Sequence, residues 1–235
     1  MITTNVIQRT FFIEFNNQTA SAFTVDFNGK HYLITARHLF IADKTAKPYA
    51  FKVYDNSDVT INIFHDNQWK SIIGKIHFHD NIDIDIAVFE TPVRLSPNYT
   101  LEMHSAGLQI GQDVFFLGFP FQLKGDAGDK NNSFPFPFVK KASFSAIQKG
   151  DNDEVIFYFD GHNNPGFSGG PIVFKNPSSN NFQVCGVVRG YVPQKGSINT
   201  PLGKASYTEN SGIIVSYDIK HCKEIIEKVN VSDNV

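Results

Sequence analysis

The stretch Gly161-His-Asn-Asn-Pro-Gly-Phe-Ser-Gly-Gly-Pro171 places one serine, Ser168, among closely spaced glycines. Glycines at this density indicate a backbone that turns sharply or that another group approaches closely. The apolar run 172–174 follows at once and predicts a buried strand. The N–H groups of Gly166 and Ser168 are placed to share one small space, which would suit an oxygen that becomes negatively charged during acyl transfer. Two interpretations stay open: a nucleophile loop, or a glycine-rich loop with an incidental serine.

The composition indicates a globular protein without a strong charge bias. The chain has 235 residues, of which 41% are hydrophobic and 19% are charged. This length allows a sizeable core, in one large domain or two small ones. The formal net charge is −2 at pH 7 and no long run of one sign occurs. The sequence therefore predicts neither nucleic acid nor a membrane surface as a partner.

Two features bear on the compartment. The N-terminus shows no basic segment followed by an apolar one, so no secretory signal is visible. No apolar run approaches the roughly 18 residues that span a bilayer. Cys185 and Cys222 are the two cysteines, far apart in the chain, whereas a secreted domain of this size usually carries more of them, in even number. We therefore expect reduced thiols in a cytoplasmic protein.

Short runs rich in β-branched and aromatic residues dominate the first half of the chain. Asn28-Gly29 separates two of these runs and predicts a type I′ hairpin. Many short strands at near-regular spacing are typical of an all-β sandwich or barrel. The predicted strands of this half cover 6–15, 21–27, 30–36, 51–54, 59–64, 72–78 and 84–89.

A second series of strands follows a proline-containing connector at 92–103. Two polar stretches, 122–137 and 192–210, interrupt this series and are predicted to be loops, and loops of this length are often functional or mobile. The predicted strands of this half cover 113–117, 139–146, 155–159, 171–174, 182–189 and 212–216.

The last part of the chain has helical spacing over 218–229. Its apolar positions are Ile219, Cys222, Ile225, Ile226 and Val229. We therefore predict an N-terminal β module over 1–103, a C-terminal β module over 104–217, and a helix over 218–229 that packs on both.

An activated serine needs a general base, and the base needs an acid that orients it. His38 ends the strand-like run 32–40, where an imidazole is held rigidly and can face a cleft. Asp85 heads the apolar run 85–90, and a carboxylate there is costly to bury unless it is paired. Asp83 competes with Asp85, because both would point to the same side of one strand. The Ile-Ala-Val run after Asp85 favours Asp85.

Three segments in this order resemble those of the trypsin-like (chymotrypsin-fold) serine peptidases, and more specifically their bacterial HtrA-like branch. Thr35-Ala-Arg-His38 is similar to the family's histidine motif, Asp85-Ile-Ala-Val88 to its aspartate motif, and Gly166-Phe-Ser-Gly-Gly-Pro171 to its serine motif. The segments 109–121 and 212–229 also fit, so the resemblance covers nearly the whole chain. It implies an all-β fold of two antiparallel six-stranded β-barrels with a C-terminal α-helix, and an active site in the cleft between the barrels.

The resemblance also implies a serine endopeptidase that acts on a polypeptide substrate and needs no cofactor. Ser168 would be the nucleophile, His38 the general base, and Asp85 the residue that orients the imidazole. The N–H groups of Gly166 and Ser168 would form the oxyanion hole. Digestive members carry an aspartate before the nucleophile, whereas this chain carries Phe167, so activation by N-terminal cleavage is not expected. Because no PDZ-like segment is visible after the predicted helix, we do not expect regulation by such a domain.

The substrate-binding residues that the resemblance implies are His162, Arg189, Gly190 and Tyr191. His162 falls where the family places the base of the primary specificity pocket. It would favour an acidic or polar substrate side chain there, or else pack against its own loop. The other three fall on the strand that lines this pocket and pairs with the peptide. Family members usually carry a small residue near Arg189, so the pocket departs from the family pattern.

Three functions stay open at this point: an active endopeptidase, an inactive protease-fold module that binds peptides or a partner, and a latent protease that a protein activator switches on. His77 and His79 share a strand face, but two ligands are too few for a metal site, and no metal is expected. The aromatic segment 134–138 is either a partner docking site or a loop that folds its rings onto a barrel, and the second is favoured.

Overall fold

A computed structural model of the chain describes residues 1–40, 54–201 and 203–232. The predicted strand over 51–54 lies largely outside this part. The first six strands form a closed antiparallel barrel in the order β1-β2-β3-β6-β5-β4. They are β1 Thr10–Phe15, β2 Gln18–Phe27, β3 Lys30–Thr35, β4 Ser57–His65, β5 Gln68–Phe78 and β6 Ala87–Glu90.

The remaining strands form a second sheet in the order β11-β8-β9-β10-β13-β12-β7, and an additional pairing of β11 with β12 closes six of them into a ring. The short strand β7 adds to β12 in parallel. The strands are β7 Glu102–Met103, β8 Asp113–Gly118, β9 Phe138–Lys149, β10 Val155–Asp160, β11 Pro171–Lys175, β12 Phe182–Thr200 and β13 Gly203–Asp218. This architecture, followed by a C-terminal helix, confirms the predicted fold class.

Strand alternation explains how the two barrels pack together. Side chains of a strand point alternately to its two faces. On β3, Leu33 points into the core of the first barrel, whereas Tyr32 and Ile34 belong to a second core that both barrels share. Cys222 lies in this shared core and Cys185 lies inside the second barrel. Both thiols are free and buried, and burial raises their pKa, so neither is a nucleophile candidate.

The C-terminal helix α2 spans Lys220–Ser232, slightly later than predicted. Asp218 accepts a hydrogen bond from the Lys220 amide at 3.0 Å, as expected of a residue near the helix start. Ile219, Ile225 and Ile226 fill the core shared by the barrels. None of the described helices combines the length and apolar character that crossing a membrane would require.

Two local predictions were wrong. A strand was predicted from Val6, but Thr4–Ile7 forms one helical turn, α1, and β1 begins at Thr10. Val6 is fully buried against the shared core, so its apolar character reflects tertiary packing and not strand pairing. The polar stretch 192–210 was predicted to be a loop, but β12 and β13 stay paired as far as Thr200 and Gly203. Both faces of this extension are largely exposed, and the pattern of apolar residues therefore does not reveal it.

A charge network around Asp26 joins Arg9, next to β1, to strands β2 and β3 of the first barrel. Arg9 is fully buried and donates to Asp26 at 2.7 Å. Asp26 also accepts from Arg94 at 2.8 Å and lies 2.9 Å from Nδ1 of His31. Burial acts to raise the pKa of Asp26, but the hydrogen bonds from His31, Arg9 and Arg94 outweigh it and lower the pKa from 3.8 to about 2.

This shift predicts a defined acid sensitivity. Because the folded pKa of Asp26 lies below its unfolded pKa, the contribution to stability is present above pH 4 and is lost as the pH falls towards 2, by about 2 kcal/mol in all. Asp26→Asn should destabilise the protein at pH 6, and the gap in unfolding free energy between the two proteins should shrink by that amount between pH 5 and pH 2. Urea denaturation at each pH measures it. A gap that stays constant would contradict the prediction.

Candidate active site

The ends of two neighbouring strands bring His38 and Asp85 together. His38 lies in the 3-10 turn Arg37–Phe40 directly after β3, and Asp85 lies two residues ahead of β6, which pairs with β3. One oxygen of Asp85 lies 2.6 Å from His38 Nδ1, and the other accepts the backbone N–H of His38 at 2.7 Å. A carboxylate only accepts hydrogen bonds. Nδ1 therefore carries the proton, and Nε2 is the basic nitrogen of the neutral ring.

The competing carboxylate, Asp83, has other partners. The strand predicted over 84–89 begins only at Ala87. Asp83 and Asp85 therefore lie before the strand and do not share a strand face. The Asp83 carboxylate accepts from Asn152 Nδ2 at 3.2 Å, and its carbonyl oxygen accepts from the Tyr217 hydroxyl. Asp85 is the aspartate that contacts His38.

The loop amides next to Ser168, from Gly166 to Gly170, divide into two sets. Those of Phe167, Gly169 and Gly170 donate to backbone carbonyls at distances from 2.8 to 3.3 Å. Those of Gly166 and Ser168 donate to no acceptor among the residues that the structure describes. Two amides two residues apart are thus left for a ligand oxygen, which is what stabilisation of an oxyanion requires.

One contact sets the orientation of the Gly166 amide. The carbonyl oxygen of Pro165 accepts the N–H of Phe121 at 2.8 Å. In a trans peptide the C=O and the next N–H point in opposite directions, and the described chain has no cis peptide. The Gly166 N–H therefore points away from Phe121. Phe121 adopts φ 51°, a left-handed conformation that is uncommon for a non-glycine residue.

Ser21, on β2 of the first barrel, holds this loop of the second barrel. Its amide donates to Ser168 O at 3.0 Å, and its hydroxyl donates to Gly166 O at 2.6 Å. The same hydroxyl accepts the Phe119 N–H at 2.9 Å. Sequence reasoning missed Ser21 and Phe121, because a serine in a strand and a backbone amide leave no pattern. The one available signal was the density of glycines, which indicated a close approach by another group.

The hydroxyl of Ser168 points to the strand beside it. Ser168 Oγ donates to the carbonyl oxygen of Arg189 at 2.9 Å, and within the described part of the chain it makes no hydrogen bond with His38. A rotation about the Cα–Cβ bond of Ser168 must therefore precede any proton transfer to the imidazole. Catalytic hydrogen bonds are often formed only when substrate is bound.

A cleft of about 780 Å³ joins several of the predicted residues. Arg189, Gly190 and Tyr191 line it together with His38 and Asp85. The Arg189 guanidinium lies 5.6 Å from the centre of the Tyr217 ring, and burial raises the pKa of Tyr217 to about 12. Other lining residues are Arg37, Ile82, Asp83, Glu154, Ile156, Tyr158, Val192, Pro193 and Val215.

The structure does not bring His162 to this cleft. His162 is exposed, and its carbonyl oxygen accepts a hydrogen bond from the Lys140 ammonium. Its neighbour Asn163 is 2% exposed, and its Oδ1 has no hydrogen-bond partner among the described residues. Asn163 was not selected from the sequence as a candidate site residue.

His79, His221 and Glu224 have the spacing of metal ligands, but their hydrogen bonds do not favour a metal. His79 Nδ1 accepts the Asn81 N–H at 3.0 Å, and His221 Nε2 accepts the Val155 N–H at 3.0 Å. The opposite nitrogens therefore carry protons, and both donate to Glu224 Oε2, at 3.1 and 2.6 Å. A metal would have to displace both protons. The cluster instead ties α2 to β10 and to the segment that leads to Asp85.

The segment 122–137 is docked on the first barrel. The Phe134 ring packs edge-on against Phe11 at 4.9 Å and against His65 at 4.4 Å, and Ser133 O accepts the Asp66 amide at 2.8 Å. For Phe134, this confirms the favoured interpretation of the 134–138 segment.

Comparisons with known proteins agree with this architecture. Residues 20–179 match the family model described as "Trypsin-like peptidase domain", whereas no curated protein matches significantly. Among solved structures, the chain is similar to the HtrA-type protease AlgW with a tripeptide (TM-score 0.60, 15% identity, 96% of this chain and 61% of that chain). It is also similar to the inactive form of a serine-to-alanine mutant of Rv3671c from M. tuberculosis H37Rv (TM-score 0.57, 14% identity, 98% and 90%). At these identities the structural likeness shows the fold. Since the family model covers more than half of the sequence, the chain belongs to the trypsin-like peptidase family.

Proposed function

We propose that this protein is a serine endopeptidase in which Ser168, His38 and Asp85 form the catalytic triad. The observation that carries the proposal is the double contact of Asp85 with His38, at 2.6 and 2.7 Å. This contact leaves His38 Nε2 as the basic nitrogen. Ser168 is hydrogen-bonded to Arg189, which lines the same cleft as His38. The family and the amides of Gly166 and Ser168, which have no acceptor among the described residues, support the same assignment.

The reaction follows from these groups. Ser168 Oγ leaves the Arg189 carbonyl, transfers its proton to His38 Nε2, and forms a bond to the carbonyl carbon of the scissile peptide. The N–H groups of Gly166 and Ser168 bind the oxyanion, and Asp85 stabilises the imidazolium. His38 then returns the proton to the leaving amine as the C–N bond breaks. Water hydrolyses the acyl-enzyme by the same steps, with His38 again as base.

Two alternatives to a constitutively active enzyme rest on the position of the Ser168 hydroxyl. Its hydrogen bond to Arg189 O, 2.9 Å long, would suit a latent protease in which a protein activator turns the side chain towards His38. It would equally suit a silent module that binds peptides along β12. We favour an enzyme over the silent module, because peptide binding alone does not require the paired His38 and Asp85. We also propose a cytoplasmic protein, with two free buried thiols that suit a reducing compartment.

A fluorophosphonate probe tests the proposal directly. Wild-type protein should be labelled covalently at Ser168, and labelling should disappear in Ser168→Ala and fall to background in His38→Ala. Asp113→Asn, an exposed carboxylate in an ion pair with Lys141, serves as a matched control and should label like the wild type. Absence of labelling in a folded wild type would reject the constitutive enzyme. Labelling that survives Ser168→Ala would reject the assigned nucleophile.

A further inference from the structure

Strand β12 continues far beyond the candidate site. Its first part, 182–187, is covered on one edge by β11. On the other edge β7 pairs with Gln183 and Val184, and β13 pairs from Gly186 onwards. From Arg189 onwards no described strand pairs with the first edge. Residues 193–200 and 203–210 then form a two-stranded extension, here called the ribbon. At about 3.3 Å per residue, its eight residues of β12 reach roughly 26 Å from the barrel.

The ribbon has two different faces. Tyr207 lies opposite Gly196, and Ala205 lies opposite Ile198, so these residues share one face. Ile198 is 59% exposed and Tyr207 is 45% exposed. The other face carries hydroxyl, amide and amino groups, from Lys195, Ser197, Asn199, Lys204, Ser206 and Thr208. An isolated hairpin is marginally stable in water, and the apolar face of this one is partly uncovered.

The edge of β12 that no described strand covers begins at Arg189, beside the reacting serine. Ser168 Oγ is hydrogen-bonded to the Arg189 carbonyl, the first residue of this edge. At the root of the ribbon, the side chain of Asn210 donates to Asn163 O in the 161–171 loop and accepts the Gly212 N–H at 2.9 Å. Two hydrogen bonds from side chains to main-chain carbonyls thus connect the nucleophile loop to β12 at Arg189 and to β13 at Asn210, which pairs with Pro193.

We propose that the ribbon extends the substrate-binding edge, so that the protein selects long, unfolded polypeptides. This inference rests on the proposed function. A substrate whose scissile carbonyl lies at Ser168 would add to β12 as an antiparallel strand, and its preceding residues would run outwards along the ribbon. Exposed strand edges offer a row of main-chain donors and acceptors for such pairing. Pro193 has no N–H and interrupts the ladder, which then resumes at Gln194.

The faces of the ribbon add a side-chain preference. Substrate residues on the face of Ile198 and Tyr207 would cover these two side chains, so apolar residues are favoured at alternate positions about eight to ten residues before the scissile bond. The polypeptide substrate is a better occupant than an anionic membrane, because Lys195, Lys204 and Glu209 leave little net charge on the ribbon. It is better than a second copy, because the edge is continuous with the reacting serine.

Peptides of increasing length test the inference. One cleavage sequence is preceded by 3, 6, 9 or 12 residues, and kcat/KM is measured for each peptide. The value should rise about tenfold or more from 3 to 12 residues, mainly through a lower KM, because several cross-strand pairs add. A variant with 194–209 replaced by Asn-Gly should lose this rise. In a variant with 197–206 replaced by Asn-Gly, kcat/KM should stop rising at a shorter peptide length than in the wild type. Both replacements supply a two-residue turn of the kind that hairpins prefer.

A binding assay separates this inference from the proposed function. Fluorescence anisotropy of the same peptides on Ser168→Ala protein measures affinity without catalysis, and Kd should fall with length in the same way. A flat series in both assays would overturn the ribbon inference while leaving the triad intact, whereas a length-dependent Kd without any cleavage or labelling would overturn the enzyme alone. Ile198→Lys combined with Tyr207→Lys keeps the backbone and should abolish the preference for upstream apolar residues. If shortening the ribbon dissolves a dimer and leaves peptide affinity unchanged, the ribbon is a self-association surface and the inference is wrong.

Discussion

Asp85→Asn is expected to lower kcat/KM by about 10⁴-fold with little change in the fold. The asparagine side chain has the same shape, and its oxygen can still accept the backbone N–H of His38, as one Asp85 oxygen does at 2.7 Å. Its NH₂ group would then face His38 Nδ1, where the second carboxylate oxygen now lies at 2.6 Å. An amide donor there forces the tautomer with the proton on Nε2, and that nitrogen can no longer take the proton of Ser168.

Asp83→Asn is the matched control, because it removes an equal charge two residues away. Asp83 accepts from Asn152 and does not contact His38, so its replacement should change kcat/KM by less than about tenfold, through the charge of the cleft alone. Steady-state kinetics on a peptide substrate, with circular dichroism of both variants, makes the comparison. Equal losses in the two variants would remove Asp85 from its assigned role.

Gly169→Ala is expected to lower the free energy of unfolding by about 3 kcal/mol. Gly169 has φ +80°, which costs a non-glycine residue roughly 1 kcal/mol. A Cβ at this position would also lie 2.4 Å from Ser21 O and 2.4 Å from Thr35 Oγ1. These atoms belong to the first barrel, whereas Gly169 belongs to the second. The clash can therefore be relieved only if the two barrels move apart at this point. Overpacking of this kind typically costs 1–3 kcal/mol.

Gly29→Ala isolates the steric part of this effect. Gly29 has φ +79°, nearly the same as Gly169, but apart from its chain neighbours no atom of the described residues lies within 4 Å of the added Cβ. Its replacement should cost only the backbone strain, roughly 1 kcal/mol. Urea denaturation followed by the fluorescence of Trp69, the one tryptophan of the chain, compares the two variants. If both lose the same stability, the contact between the barrels at Gly169 does not carry the effect.

Most of the fold could be predicted because its signals are local. The Asn28-Gly29 hairpin has positive φ at both positions, 48° and 79°, as a type I′ turn requires. Most strands were identified within a few residues, since buried strands are rich in β-branched and aromatic side chains. Prediction failed where the pattern of apolar residues along the chain does not match the burial of those residues in the fold. Val6 is buried by another element of the fold, and the ribbon of 193–210 is exposed on both faces.

The candidate residues divide in the same way. His38, Asp85 and Ser168 were selectable from the sequence, because each stands in a motif whose residue types the chemistry requires and whose order along the chain can be read. The choice of Asp85 over Asp83 already followed from the apolar run after it. No sequence pattern reveals the contacts that join main-chain groups to residues far away in the chain. Ser21 on the 161–171 loop, the Phe121 amide on Pro165, and the Ser168 hydroxyl on Arg189 all join segments at least 21 residues apart. Such contacts depend on how two closed barrels pack, and only the tertiary structure decides them.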